Sequence, residues 1–94
     1  GWWPGDGRYA RPALYAYAHP APEGFAKAEL SPAGARWDSA LGEYVLDWDV
    51  VAAQADPRAH VVEFCRSAFQ HACLVCGWDG ALAASAEGDP PPVA

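Results

Sequence analysis

The sequence predicts a small α+β domain, an antiparallel sheet of about three strands packed by one long amphipathic helix plus two short helices. Three observations lead there. Strand-like segments come first along the chain and helix-like segments follow. Two short runs near the middle alternate apolar and polar residues on either side of a four-residue connection ending in Gly42. Residues 56–77 carry apolar side chains at helical spacing between two clear stop signals.

Residues 1–12, GWWPGDGRYARP, are rich in Gly and Pro and open on Trp2 and Trp3, which pack on the domain's own core or belong to an interface. Residues 13–18 (ALYAYA) set Leu14, Ala16 and Ala18 against Tyr15 and Tyr17, which suits a strand covered on both sides and ended by Pro20 and Pro22. Because proline fixes its own φ and disfavours helix in the residue before it, HPAPEGF makes a rigid connection. Residues 26–34 read as a loop. Residues 35–38 and 43–46 form a hairpin, with Tyr44 and Leu46 on one face and Glu43, Val45 and Asp47 on a face turned to water.

Asp47 or Asp49 caps a short helix running through Gln54. The long helix follows, with Asp56 as N-cap, Pro57 at the first helical position and Gly77 as the left-handed stop. Its apolar stripe is Val61, Phe64, Cys65, Ala68, Phe69, Ala72, Cys73 and Cys76. A final helical segment runs to about residue 86, so residues 1–86 form one domain and residues 87–94, EGDPPPVA, a disordered Pro-rich tail.

With 94 residues the core is thin, burying roughly 60–65% of the unfolded surface. The net charge of −6 and the scattered placement of Arg8, Arg11, Lys27, Arg36, Arg58 and Arg66 argue against nucleic acid, whose counterions must be replaced by several cations on one face. No apolar run reaches the ~20 residues of a membrane span, and no secretory signal opens the chain, so the expected location is cytoplasmic.

Four constellations invite chemistry. Cys73 and Cys76 form a C-x-x-C, but at the C-terminal end of a helix the dipole favours the unreactive thiol. Adding Cys65 and His71 gives a metal's ligand count but not its geometry, since the four project in different directions from one helix. The expectation is no metal, no cofactor and three cysteines serving as small buried hydrophobes. His19, with Tyr17 and Glu23, leaves the sheet where functional side chains often sit, but no nucleophile or G-x-S-x-G turn accompanies it. His60 and His71 lie about 16 Å apart along the helix and read as solvated. Trp37, Tyr44 and Trp48 stand near Glu43 and could hold a cationic or aromatic ligand, the plainer reading being core on one face and wet acids on the other.

WPGDG (residues 3–7), YAYAHPAPEGF (15–25), LGEYVLDWDVV (41–51), ADP (55–57) and CGWD (76–79) together resemble, in order and spacing, the C-terminal portion of the bacterial proteins grouped as domain of unknown function 5996. The resemblance spans nearly all of the chain before the tail. It implies a longer architecture with a further N-terminal region, and it brings no activity and no catalytic residues. The chain departs from the pattern at Cys73 and Cys76, where small residues such as alanine are expected.

The function expected is that of a non-catalytic structural or interaction domain that self-associates as a homodimer, with Trp2 and Trp3 as interface candidates. A small-molecule binding module at Trp37, Tyr44, Trp48 and Glu43 is the alternative. An enzyme around His19, Tyr17 and Glu23 comes third.

Overall fold

Alternation with period two is the pattern of a strand that faces different surroundings on its two sides, and the run Glu43–Asp47 forms the strand with both neighbours paired. In the computed structural model, which describes residues 1–78 and 81, four strands form one antiparallel sheet. They are β1 (Trp2–Trp3), β2 (Ala13–Ala16), β3 (Arg36–Asp38) and β4 (Glu43–Asp47), in the order β1-β2-β4-β3. The helices are α1 (Trp48–Ala52) and α2 (Pro57–Cys76). The architecture is α+β, as the sequence predicts.

Three details differ from the sequence expectation. Trp2 and Trp3 add a fourth strand, pairing Trp2 with Leu14 and Trp3 with Ala13. The second strand ends at Ala16, so Tyr17 and Ala18 leave the ladder. The segment after Pro22 opens with a 3₁₀ turn, Phe25–Lys27, in which the Phe25 ring is buried. The last short helix and the tail, Ala81 apart, lie outside the described residues.

Register assigns the two faces of the sheet. Leu14 opposes Leu46 and Ala16 opposes Tyr44, while Trp37 also opposes Tyr44, so these residues share one face. Helix α2 lies across that face, and Phe64, Ala68 and Ala72 join Leu14, Tyr44, Leu46 and Val51 in one cluster. Helix α2 has the ends its sequence announces. Asp56 Oδ1 accepts from the Ala59 N–H at 3.1 Å, and Gly77 closes the helix in the left-handed conformation at φ 68°. Ser31 fastens the preceding loop to α2: its N–H donates to Ser67 Oγ at 3.2 Å and its hydroxyl to Glu63 Oε1 at 2.6 Å. That hydroxyl, with Arg66, holds the Glu63 carboxyl below its ordinary pKa.

Phe25 joins helix to sheet. Its ring meets Trp37 and Tyr44 edge-on, at centroid distances of 6.2 and 5.6 Å, and stacks on His71 at 5.2 Å. The Tyr44 hydroxyl lies 2.6 Å from Phe25 O and 2.9 Å from Ala28 O and donates its one proton between them. His71 Nε2 is 2.7 Å from the same Phe25 carbonyl, which can only accept, so this nitrogen carries the proton. The expectation of a solvated His71 is therefore corrected. The 3₁₀ turn reaches over the helix and covers it, which no periodicity along α2 announces.

Tyr44→Phe is expected to cost about 1–3 kcal/mol, because the Phe25 and Ala28 carbonyls lose the tyrosine's donor, Phe25 O keeping only His71, while the packing of the ring is kept. Urea denaturation checks this, with the midpoint falling and the slope unchanged.

Candidate functional site

The face of the sheet away from α2 carries Trp3, Ala13 and Tyr15, opposite Val45, with Glu43 and Asp47 further along β4. The sequence expectation gives this face to water. Instead Val45 is fully buried, because residues 4–12 fold back over it. Gly5 permits the fold: its φ is +99°, and a Cβ there would stand 3.2 Å from the Arg11 carbonyl carbon. Asp6 Oδ1 then accepts from the N–H of Arg8 at 2.7 Å and of Tyr9 at 3.3 Å, an Asx-type turn that sets the loop's direction.

Tyr9 is the fastening point of this loop. Its carbonyl accepts from Trp3 Nε1 at 3.2 Å. Its hydroxyl donates to Asp47 Oδ1 and accepts from Arg36 Nη2 at 2.6 Å. Arg11 pairs with Asp47 Oδ2 at 3.2 Å, so both carboxylate oxygens are occupied. Asp47 stands at the N-cap position of α1, as expected, but its side chain makes no cap bond. The loop has claimed it. Burial, and after it the Asp47 carboxylate, push the Tyr9 phenol above its ordinary pKa.

Between the loop and the sheet lies a cleft of about 270 Å³. Trp3, Tyr9, Tyr15 and Tyr17 give it aromatic walls, over apolar floor from Ala13, Leu41 and Val45. Tyr15 and Tyr17 are nearly parallel, 13° between planes with centroids 6.2 Å apart, and Tyr17 is 59% exposed. Two charged side chains also line the cleft, Arg8 and Glu43. The Arg8 guanidinium lies 5.0 Å from the centroid of Trp3 and is paired with Asp6 at 3.2 Å. Among the described residues, no hydrogen bond or ion pair reaches the Glu43 side chain.

The residues singled out from sequence are redistributed by this geometry. Trp37 and Tyr44 do meet, with centroids 5.0 Å apart, but on the α2 face, where Tyr44 is fully buried. Trp48 opens α1, 37% exposed, and makes no ring contact with them among the described residues. Glu43 points to the other face. His19 and Glu23 are exposed, and among the described residues neither bonds to the other or to Tyr17. Trp2 is exposed beside Leu14 on the α2 side, whereas Trp3 enters the cleft. Each expected set thus gives one residue to the cleft: Tyr17, Glu43 and Trp3. Sequence reasoning missed Tyr9, Tyr15 and Arg8 as its other members. The alternation of Tyr15 and Tyr17 with Leu14 and Ala16 carried a signal for two of the walls, while nothing in a Gly- and Pro-rich loop marked Tyr9.

The cysteines are free thiols in three environments, Cys65 exposed, Cys73 buried and Cys76 between, so only Cys73 is the buried hydrophobe expected of all three. No group of three His, Cys, Asp or Glu among the described residues is placed to hold a metal ion. No helix among them is long and apolar enough to cross a membrane.

Fold and site together define a small α+β domain with an aromatic cleft on the sheet face opposite its long helix. The profile of the family of unknown function DUF5996 matches residues 1–85, and the chain belongs to that family. None of the curated proteins and none of the solved structures compared with it matches.

The protonated Tyr9 phenol is the form that binds Asp47, and its folded pKa is raised, so its contribution is complete below the ordinary tyrosine range near about pH 10 and is lost as pH rises through the higher folded value. Stability to urea, followed across alkaline pH, is expected to fall in that window. Tyr9→Phe is expected to cost about 1.5–3 kcal/mol at neutral pH, as for a hydrogen bond to a charged group. The same change removes part of the alkaline loss, and the remainder belongs to Tyr44, whose phenol burial also raises.

Proposed function

We propose that this protein is a small-molecule binding module, with the ligand seated in the cleft between residues 4–12 and the open face of the sheet. The observation that carries the reading is the co-location of four aromatic side chains around a concavity large enough for a compact organic molecule. Aromatic walls supply apolar contact area, and the half-exposed position of Tyr17 leaves a way in. The catalytic alternative has no comparable support, since His19 is exposed, lies outside the cleft lining and has no bonded partner among the described residues.

The test is a fragment screen read by two-dimensional NMR on the whole chain. Ligands are expected to shift the signals of Tyr15, Tyr17 and Val45 together, and Tyr15→Ala is expected to abolish the shifts while the remaining spectrum stays folded. Hits that map only to α2 would overturn the assignment.

Self-association is a second reading, favoured by a separate observation. Cys65, Phe69 and Trp78 border an apolar groove of about 330 Å³ between α2 and β2. Trp78 is 48% exposed there, and Trp2 follows Gly1 at the groove's rim. A second copy would cover a surface whose lining side chains are all uncharged, with the Gly1 ammonium at its rim already bonded to the Tyr15 carbonyl. Light scattering on a size-exclusion column is expected to give the mass of two chains, and Cys65→Glu, which sets a charge in the groove at an exposed position, is expected to return one. A single-chain mass at every concentration would reject this reading.

A further inference from the structure

The cleft's charges point to the class of ligand, an inference that rests on the binding reading above and goes beyond it. Of the two charged groups lining the cleft, Arg8 has its counterion in Asp6, 3.2 Å away. Glu43 has none among the described residues, so the cleft carries one unneutralised carboxylate among four rings. The negative faces of those rings add to the field of the carboxylate and attract the same sign of charge. An anionic ligand would meet Glu43 and an arginine already paired with Asp6, and the net charge of −6 on the chain opposes it at longer range.

Two arginines already make this kind of contact on the same face. Arg8 lies over Trp3 at 5.0 Å and Arg36 over Tyr9 at 5.7 Å. They differ in how firmly they are held. Arg36 donates to the Tyr9 hydroxyl at 2.6 Å and pairs with Asp38 at 3.3 Å, and it does not line the cleft. Arg8 lines the cleft, its side chain is 70% exposed, and its pair with Asp6 is a surface pair of little strength.

We propose that the cleft binds a small organic cation, an ammonium or guanidinium group on a compact body, with Glu43 as its counterion and Arg8 as the chain's own occupant of the Trp3 ring, displaced when ligand enters. The arrangement places the ligand's charge where a protein cation already rests. Arg8 therefore competes with the ligand, while Glu43 selects it.

The experiment compares choline with 3,3-dimethylbutan-1-ol, its neutral isostere, titrated against the whole chain and read by NMR shifts at Tyr15, Tyr17 and Glu43. Choline is expected to bind about tenfold more tightly than the alcohol, the scale of a cation–π contact with a nearby carboxylate. Glu43→Gln, a near-isosteric change at a half-exposed position, is expected to bring the two ligands close to parity. Arg8→Ala is expected to tighten choline and to leave the alcohol less affected. Equal binding of both ligands by the unaltered chain would overturn the charge selection and leave the cleft as a neutral aromatic site. Failure of both probes to move any cleft signal, while neutral aromatic fragments do, would overturn the cation and keep the binding reading. If no ligand of any charge moves those signals, both fall. Unchanged choline affinity in Arg8→Ala would remove Arg8's part in the proposal.

Discussion

Everything in this structure depends on the alternation of β4, a five-residue strand with both faces covered. Tyr44 and Leu46 point toward α2, while Glu43, Val45 and Asp47 point to the opposite face, and the three central residues are all buried. The strand is also the only one paired to both β2 and β3. A slip of one residue would exchange its faces. It would put carboxylates under α2 and a tyrosine hydroxyl beneath the loop, with no Phe25 carbonyl to meet it. Register in this domain is thus fixed by polar partners as well as by apolar burial.

Each cover is fastened to β4 by a tyrosine hydroxyl, and the two fastenings differ in chemistry. On the α2 side, Tyr44 belongs to the strand and donates to main-chain carbonyls of Phe25 and Ala28, in and just after the 3₁₀ turn, with neutral partners. On the other side, Tyr9 belongs to the cover and donates to a carboxylate of the strand, with two guanidinium groups beside it. A hydrogen bond to a charged group is stronger, but the charged groups released on opening, Asp47, Arg36 and Arg11, are all partly exposed and readily rehydrated. The loop can accordingly be well ordered when closed and still be the easier of the two covers to lift.

The sequence made the long helix fully legible because its signals are local: Asp56, Pro57 and Gly77 act within a turn, and the 3.6-residue period spans five turns. The hairpin of β3 and β4 was legible for the same reason, and so was the covering of β2 on both sides. What could not be read were the partners supplied from a distance. β1 has only two residues and no period, so its pairing with β2 is set by the path of the loop that follows it. The Tyr9–Asp47 contact joins positions 38 residues apart, and His71 meets Phe25 across 46. The candidate cleft was read in fragments for this reason. Trp3, Tyr17 and Glu43 were each noticed for a different purpose, and only the register of the sheet places them on one face.

Asp47 shows where the local rules give way. It stands at the N-cap of α1, where an aspartate side chain accepting from the helix's first turn typically contributes ~1 kcal/mol, and it makes no such bond. Its two oxygens go to Tyr9 and Arg11 instead, both from the loop that roofs the cleft. The short helix α1 is left to be stabilised by packing, with Val51 fully buried, and by the Trp48 N–H donating to Pro12 O at 2.9 Å. A chain selected for the stability of α1 alone would let Asp47 cap it and leave residues 4–12 loose. This one gives its best-placed cap residue to the roof, and departures of that kind gather where a fold serves something besides its own stability. The cost falls on α1, and what it secures is the position of Tyr9 beside Trp3, at the wall of a cleft in which the Glu43 carboxylate stands among aromatic rings.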